Sequence, residues 1–477
     1  MKYVILGILT IVATSIFAQK KEAFNPDQKF SADSVRKWTV EIMDELAAAQ
    51  PGFYRYTSKA RFDHLIDSTL QTISDSLNTL EFYRKLKPLF AQIGCLHTGL
   101  RLSEDYEKHI KNTSSLFPLE IFINSQNQVF VTKNHSNQSV PIKSEILTIN
   151  DRPIDEILNI LYNAIPTDGY NRTLKVLLLN YRFSIWYQSM IDLRNTFRLT
   201  VKTIEGIRTY TLAGVESKVF PSIDSLESAH KKQLVFEIKN GIGYLTIHSF
   251  AKTVINKNNQ NFKKFIRKSF DALRQEQVKY LIVDVRHNTG GTDGNAAFLT
   301  SHFFNETFRY WEKIELTEYM AKQIKGIYRI FYSKPELKDS TYHWKGSLFT
   351  KEFNYYNVAP AKNHFEGKVF LITNGSCMSS CSDFAAILSH HKKAVVVGQE
   401  CGGGYQGNTS GLMPNEDVHP NMIMTVPLLK YTTAVDHTKN IGRGTPPDYV
   451  TDHTVDDWIA KKDVEMELIE NLIKKEE

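Results

Sequence analysis

Three short apolar runs constrain this chain more than any other feature: YLIVDVR (280–286), KVFLIT (368–373) and KAVVVG (393–398). Each is too short for an ordinary helix and lacks polar alternation, so each reads as a strand buried on both faces. Helical patterns over 259–277, 292–303 and 380–390 separate them, and GYLTIHSF (243–250) supplies a further strand. Alternation of this kind predicts a mostly parallel sheet with helices on its faces, an α/β fold. In such sheets functional residues gather at the carboxyl ends of the strands. The stretch 305–366 breaks the rhythm, is rich in Tyr, Phe and Trp, and is expected to wall a cleft. Residues 454–475 are expected to form one closing helix.

The first half of the chain is patterned differently. Residues 30–92 have few breakers, and Leu65, Leu70, Ile73, Leu77 and Leu80 recur at steps of three to five residues, as in amphipathic helices. From 118 to 215 short β-rich runs (LEIFIN, QVFVTK, SEILTIN, FRLTVKTI) surround a helical stretch at 154–164, and 216–234 is a polar linker. Residues 1–18 (MKYVILGILTIVATSIFA) place one Lys before an apolar run and end in small residues, the pattern of a secretory leader cleaved after Ala18. That implies a periplasmic or secreted protein, with no stable membrane insertion once the leader is gone. The expected organisation is therefore a leader (1–18), an N-terminal helical region (19–110), a small α/β module (111–220) and a catalytic-type sheet domain (235–477). A net charge of +6 spread over 477 residues, with no basic stripe interleaved with aromatics, argues against nucleic acid as a partner.

Two strand ends carry unusual chemistry. The first is DVRHNTGG (284–291), where Gly290 and Gly291 let the backbone approach a ligand and aim N–H groups at it; it reads equally as an oxyanion hole or as a tight turn. The second is TNGSCMSSCSDF (373–384), in which a helix begins near Ser379 and Ser380. A hydroxyl there feels the positive end of the helix dipole, and free N–H groups nearby can hold an oxyanion. Serines before a helix are more commonly N-caps, so this segment alone favours a cap. A serine nucleophile also needs a base. Of the 15 histidines, His97 stands apart, in an apolar neighbourhood between Gly94 and Gly99.

Taken together, GCLHTGL, YLIVDVRHNTGG, SCMSSCSDFAAIL, AVVVGQECGGGYQGNTSG and GRGTPPDYV resemble, in order and separation, the tail-specific (C-terminal processing) and tricorn-type serine peptidases. The similarity is greatest to the interphotoreceptor-retinoid-binding-protein-like bacterial branch. It covers 235–475 well and 85–100 locally. The resemblance implies a ClpP/crotonase-like catalytic domain, Ser379 as nucleophile and His97 as general base. It also implies an oxyanion hole made by the N–H of Ser380 and one from the Gly290–Gly291 turn. It makes 111–220 a PDZ-like module with a helical insertion, and the substrate a peptide or unfolded protein. No cofactor and no metal are implied. The sequence departs from the family at four places: Gly404 stands where tail-specific members carry a basic lysine, Leu96 replaces a serine before the histidine, Ile441 replaces a distal glutamate, and Ser382, beside Asp383, replaces an acid. The group that orients His97 is thus not identified. A catalytically weakened peptide- or ligand-binding protein on the same scaffold is the alternative.

Cys95, Cys377, Cys381 and Cys401 all fall at these motifs. A disulfide pinning the His97 loop to the nucleophile helix or the glycine loop is the leading expectation. A zinc site using Cys377 and Cys381, and a Cys381–His97 nucleophilic pair, are the alternatives.

Overall fold

A computed structural model describes residues 24–220 and 232–476, apart from 325, 327–332, 345 and 348–355. The leader at 1–18 lies outside the described residues.

Among the described residues a short strand at Lys29–Phe30 is followed by three helices, α1 (Ala32–Ala49), α2 (Lys59–Gln71) and α3 (Thr79–Gln92). Ser31, Ser58 and Asn78 cap them through their side chains, and Asn78 with Glu81 forms a full capping box. The helices bury their apolar faces together, with Val35, Leu46, Phe62, Phe82 and Phe90 almost wholly enclosed. After α3 the chain turns at Gly94 (φ 69°) and passes through Cys95–Thr98 into β1 (Gly99–Leu102). That strand pairs antiparallel with Met422–Thr425, more than 300 residues away, so the helical region is sewn into the C-terminal half of the fold.

After α4 (Glu104–Thr113) comes a six-stranded antiparallel sheet, with β2 (Leu119–Ile123), β3 (Val129–Asn134), β4 (Glu145–Ile149), β5 (Thr196–Thr203) and β6 (Gly206–Ala213) in sequential order and the short strand Arg152–Pro153 paired with β4 beside them. Between β4 and β5 lie α5 (Ile154–Ala164), at the expected residues, and α6 (Thr173–Met190), which the sequence reading does not separate from its β-rich surroundings.

The second half carries the expected parallel sheet. Its order is β7 (Leu234–Lys239), β8 (Ile242–Ile247), β9 (Tyr280–Asp284), β10 (Lys368–Thr373), β11 (Val395–Gly398), β12 (Tyr449–Val450). Only the β7–β8 pair is antiparallel. Side chains alternate along each strand. Leu281, Val283, Leu371 and Val396 enter the main core, with the flanking helices α7 (Phe262–Gln275), α8 (Asp293–Thr300) and α9 (Ser380–His390). Ile282, Phe370, Ile372 and Val397 face the other way and are covered by Ile469 and Ile473 of α10 (Val464–Lys474). Burial on both faces explains why these strands read as continuous apolar runs.

Two helical expectations are corrected. The helix expected over 259–277 starts only at Phe262, where Asn261 caps it, after a separate short helix at Lys252–Lys257. The single closing helix is two, Val455–Ala460 and α10, because Lys461 adopts a left-handed conformation (φ 52°) between them. The aromatic stretch 305–366 supplies Trp311–Leu316, which pairs with Leu429–Thr433 in a separate five-stranded sheet. Among the described residues no helix is long and apolar enough to cross a membrane.

Candidate active site

β10 ends at Thr373, and the turn that follows delivers Ser379 to the position just before α9. The turn is held by its own polar groups: Asn374 Oδ1 accepts from the Ser376 N–H (3.0 Å), and the Asn374 carbonyl accepts from the Cys377 N–H (3.0 Å). Ser379 occupies the N-cap position, yet its side chain makes no capping hydrogen bond. Its backbone sits at φ 54° and ψ −133°. A non-glycine residue in that region is strained by about 1–3 kcal/mol and persists only where its surroundings hold it. Here the Ser379 carbonyl accepts from the Asp383 N–H (3.1 Å) and from the Ser382 hydroxyl (2.7 Å). The expectation from the local segment, that Ser379 is a cap, is therefore corrected: its hydroxyl is not spent on the helix.

Gly290 lies directly against this turn. A Cβ on Gly290 would come within 2.7 Å of the Met378 carbonyl oxygen, 2.8 Å of Ser379 Cβ and 3.0 Å of the Ser380 nitrogen. Its φ of 96° also suits only glycine. The Gly290 N–H is already used, donating to Asn288 Oδ1 at 2.9 Å. The Ser380 N–H is the first of α9 and has no partner available within the helix.

On the other side stands the glycine loop after β11. The Gly403 N–H donates to the Cys377 carbonyl (3.0 Å), and a Cβ on Gly403 would meet Met378 Cα at 2.9 Å and Ser382 Oγ at 2.3 Å. Gly404, the position at which the family resemblance implies a lysine, donates its N–H to Asp168 Oδ2 at 3.0 Å. The other oxygen of Asp168 accepts from the Leu96 N–H at 3.1 Å. One buried carboxylate thus ties the histidine loop to the glycine loop. One of its oxygens, a ring nitrogen of His97 and the Cys95 sulfur lie within 4.8 Å of one another. Asp168 is the residue near His97 that the sequence reading does not find. Its only signal is an Asp-Gly turn at 168–169, which says nothing of a partner 71 residues upstream.

The Asp168 segment is itself anchored. The Gly169 N–H donates to the Gly94 carbonyl (2.9 Å). Asn171 Nδ2 donates to Glu400 Oε1 (3.1 Å) and to the Cys401 carbonyl (2.8 Å). Glu400 is buried, pairs with Arg443, and accepts from the Gly444 N–H at 2.7 Å. The motif GRGTPPDYV thus reaches the site through Arg443 and Gly444, whereas Ile441, in the place of the missing glutamate, is exposed.

Burial pushes the His97 imidazole below its ordinary value, while the Asp168 charge and the Thr409 carbonyl pull it back up. Burial raises the Asp168 carboxyl, opposed by His97 and by the N–H groups of Leu96 and Gly404. His97 Nδ1 is sealed from solvent and has no hydrogen-bond partner. Ser379 and His97 are connected through the glycine loop and not by a direct hydrogen bond.

Asp383, next to the position where the family places an acid, points elsewhere. It is fully buried between Asn408 and Thr433, and desolvation, reinforced by the nearby Asp293 charge, raises its carboxyl well above the usual range. The four cysteines are free and buried. This corrects the expected disulfide: Cys95 lies beside Asp168 and Thr409, while Cys377 and Cys381 face each other with sulfurs 2.9 Å apart. Burial raises the Cys381 thiol, so it lacks the thiolate character that a Cys381–His97 nucleophilic pair would need.

The model of peptidase family S41 matches residues 241–451. No curated protein matches the sequence. Among solved structures, mature CPAF complexed with lactacystin is similar at 12% identity, over 92% of this chain and 98% of that one, with a TM-score of 0.60. Mature CPAF alone gives 13% identity, 90% and 95% coverage and a TM-score of 0.59. At this identity the likeness speaks for a shared fold.

Proposed function

We propose that the chain hydrolyses peptide bonds with Ser379 as nucleophile and His97 as general base, a reading supported by the match of residues 241–451 to the model of peptidase family S41. Ser379 Oγ attacks the carbonyl carbon of the scissile bond as His97 takes its proton. His97 then returns that proton to the leaving amine, and water resolves the acyl-enzyme by the same route in reverse. The tetrahedral oxyanion is held by the Ser380 N–H and by an N–H of the glycine turn. Because the Gly290 amide is committed to Asn288, that second donor is the Gly291 N–H. Asp168 orients His97, in the role that Ile441 cannot fill.

The observation that carries this reading is the backbone of Ser379: a strained, positive-φ serine at a helix start whose hydroxyl does not cap the helix. A cap would relax to an ordinary extended conformation and bond its own helix. A nucleophile on a sharp strand-to-helix turn does neither. A fluorophosphonate probe should label the wild type and fail to label Ser379→Ala; equal labelling of both would overturn the assignment.

On the same reading the six-stranded antiparallel module is PDZ-like and takes an extended peptide by strand addition. The substrate is then a peptide or unfolded protein. The leader directs the chain out of the cytoplasm, which N-terminal sequencing of the exported protein would test by a start at Gln19. A second reading, a peptide-binding protein that has lost catalysis, is favoured by one observation: no hydrogen bond joins Ser379 to His97. Catalytic hydrogen bonds often close only on substrate binding, so probe labelling decides between the two.

A further inference from the structure

We infer that Cys95, His97 and Asp168 form an inhibitory binding site for a borderline-soft divalent cation of the zinc type. The regulatory half of this inference rests on the proposed role of His97; the binding half does not.

Three observations carry it. The first is the donor set. One thiol sulfur, one imidazole nitrogen and one carboxylate oxygen, each from a different side chain, lie within 4.8 Å of one another, the one such His/Cys/Asp/Glu grouping among the described residues. Tetrahedral zinc with bonds of about 2.0–2.3 Å sets its ligands roughly 3.3–3.8 Å apart, so closing the site needs only about 1 Å of movement. Rotation of Cys95, whose sulfur now rests 3.4 Å from the Thr409 carbonyl, can supply part of it. A sulfur–nitrogen–oxygen set selects zinc or cobalt over calcium and magnesium, which demand oxygen.

The second observation is rigidity. Cys95 and His97 lie on one loop and Asp168 on another, and backbone bonds clamp the two together: Gly169 N–H to the Gly94 carbonyl, and Leu96 N–H to Asp168 Oδ1. The cation would find its ligands pre-positioned. The third is an unmet need. His97 Nδ1 is buried with no hydrogen-bond partner, an arrangement that ordinarily costs about 1–3 kcal/mol; a cation bound through Nδ1 would relieve it.

Charge also balances. Cys95 binds as the thiolate, releasing its proton to solvent, and thiolate plus carboxylate neutralise the divalent ion inside a largely enclosed site. His97 is only partly buried as a residue, which leaves an approach for the ion and a fourth position for water. Bound this way, the imidazole lone pair and the Asp168 carboxylate are both withdrawn from catalysis.

The test uses the full chain and Co2+ as the reporter. Titration should raise a sulfur-to-cobalt charge-transfer band in the wild type, in Ser379→Ala and in Cys377→Ala, and zinc should bleach it. Cys95→Ala should lack the band and bind zinc more weakly by on the order of 100-fold or more, the upper end of what altering even a ligand's hydrogen-bond partner costs. Asp168→Asn is the second variant should Cys95→Ala fold poorly; it should keep the band but bind both metals more weakly. No band in the wild type, or a band that survives in Cys95→Ala and vanishes in Cys377→Ala, overturns the site. In parallel, each folded variant is assayed on a peptide substrate with zinc and with excess chelator. Inhibition that the chelator reverses in the wild type, and that needs much more zinc in Cys95→Ala, supports the regulatory half; peptidase activity indifferent to zinc at cobalt-competing concentrations overturns it. Absence of peptidase activity in every sample would count against Ser379 and His97 chemistry, while the cobalt spectrum would still decide the metal site.

Discussion

Asp168→Asn separates two roles of this carboxylate, the loop tether that the structure shows and the orienting of His97 that is proposed. One oxygen accepts from the Leu96 N–H and the other from the Gly404 N–H. Asparagine offers one acceptor, so one of these largely enclosed backbone donors loses its partner, at about 1–3 kcal/mol of stability. Against a typical total of roughly 5–15 kcal/mol, nearly all molecules stay folded. Loss of the orienting charge should act on a different scale. In the Ser-His-Asp template the same substitution lowers the rate about 10⁴-fold, or roughly 5.4 kcal/mol at about 1.36 kcal/mol per decade. Unfolding cannot produce a loss of that size. The assay is kcat/KM on a fluorogenic peptide, normalised to folded protein by denaturant titration. The pH profile adds a second signature. Burial lowers His97 and the Asp168 charge raises it, so removing that charge should move the acid limb to lower pH. Activity per folded molecule within about tenfold of wild type, with an unmoved acid limb, would refute the orienting role and leave Asp168 as a loop tether.

Three further outcomes are expected. In the wild type the acid limb of kcat/KM should fall below the ordinary histidine value of 6.5, since the base must be neutral and burial depresses its titration; a limb at or above 6.5 would point to another base. Gly290→Ala should cut probe labelling of Ser379 by about 100-fold or more, because its Cβ meets the Met378 carbonyl at 2.7 Å and displaces the nucleophile turn, and an unchanged labelling rate would separate that turn from catalysis. Asp383 binds its proton more tightly folded than unfolded, so its contribution to stability is full below the ordinary carboxyl value and is lost as pH rises toward the raised folded value. Asp383→Asn should therefore unfold at higher denaturant than wild type at neutral pH but not at acidic pH, and denaturant midpoints at the two pH values check it.

The parts legible in the sequence were those whose signal is local. Lys368–Thr373 and Ser380–His390 fall at the expected residues because a strand buried on both faces leaves no polar alternation, and because the small-residue turn before Ser379 separates strand from helix. Thr173–Met190 is illegible for the opposite reason: LKVLLLNYRFSIW is apolar or aromatic around much of its circumference and kinks at Arg182 (φ −139°), so no single face repeats. The break at Lys461 requires a left-handed lysine, which composition does not signal. Motifs single out Ser379, Gly290 and His97 as candidates, whereas the Asp168 contact is set by how α5 and α6 dock, a tertiary outcome with no trace along the chain. The cysteines mislead because their clustering in sequence is real, but three of them belong to the core behind the turn that carries Ser379 and the fourth to the His97 loop.

The split of the site between the two halves of the fold bears on when the enzyme can act. On the proposed chemistry, His97 and Asp168 are translated long before Ser379, and the strand that follows His97 finds its sheet partner only when Met422–Thr425 is made. A growing or partly unfolded chain holds a serine without a base, or a base without a serine. Catalytic competence therefore becomes a late event in folding, and the least-folded copies, which are the most vulnerable to cleavage, are also the ones least able to cleave their neighbours.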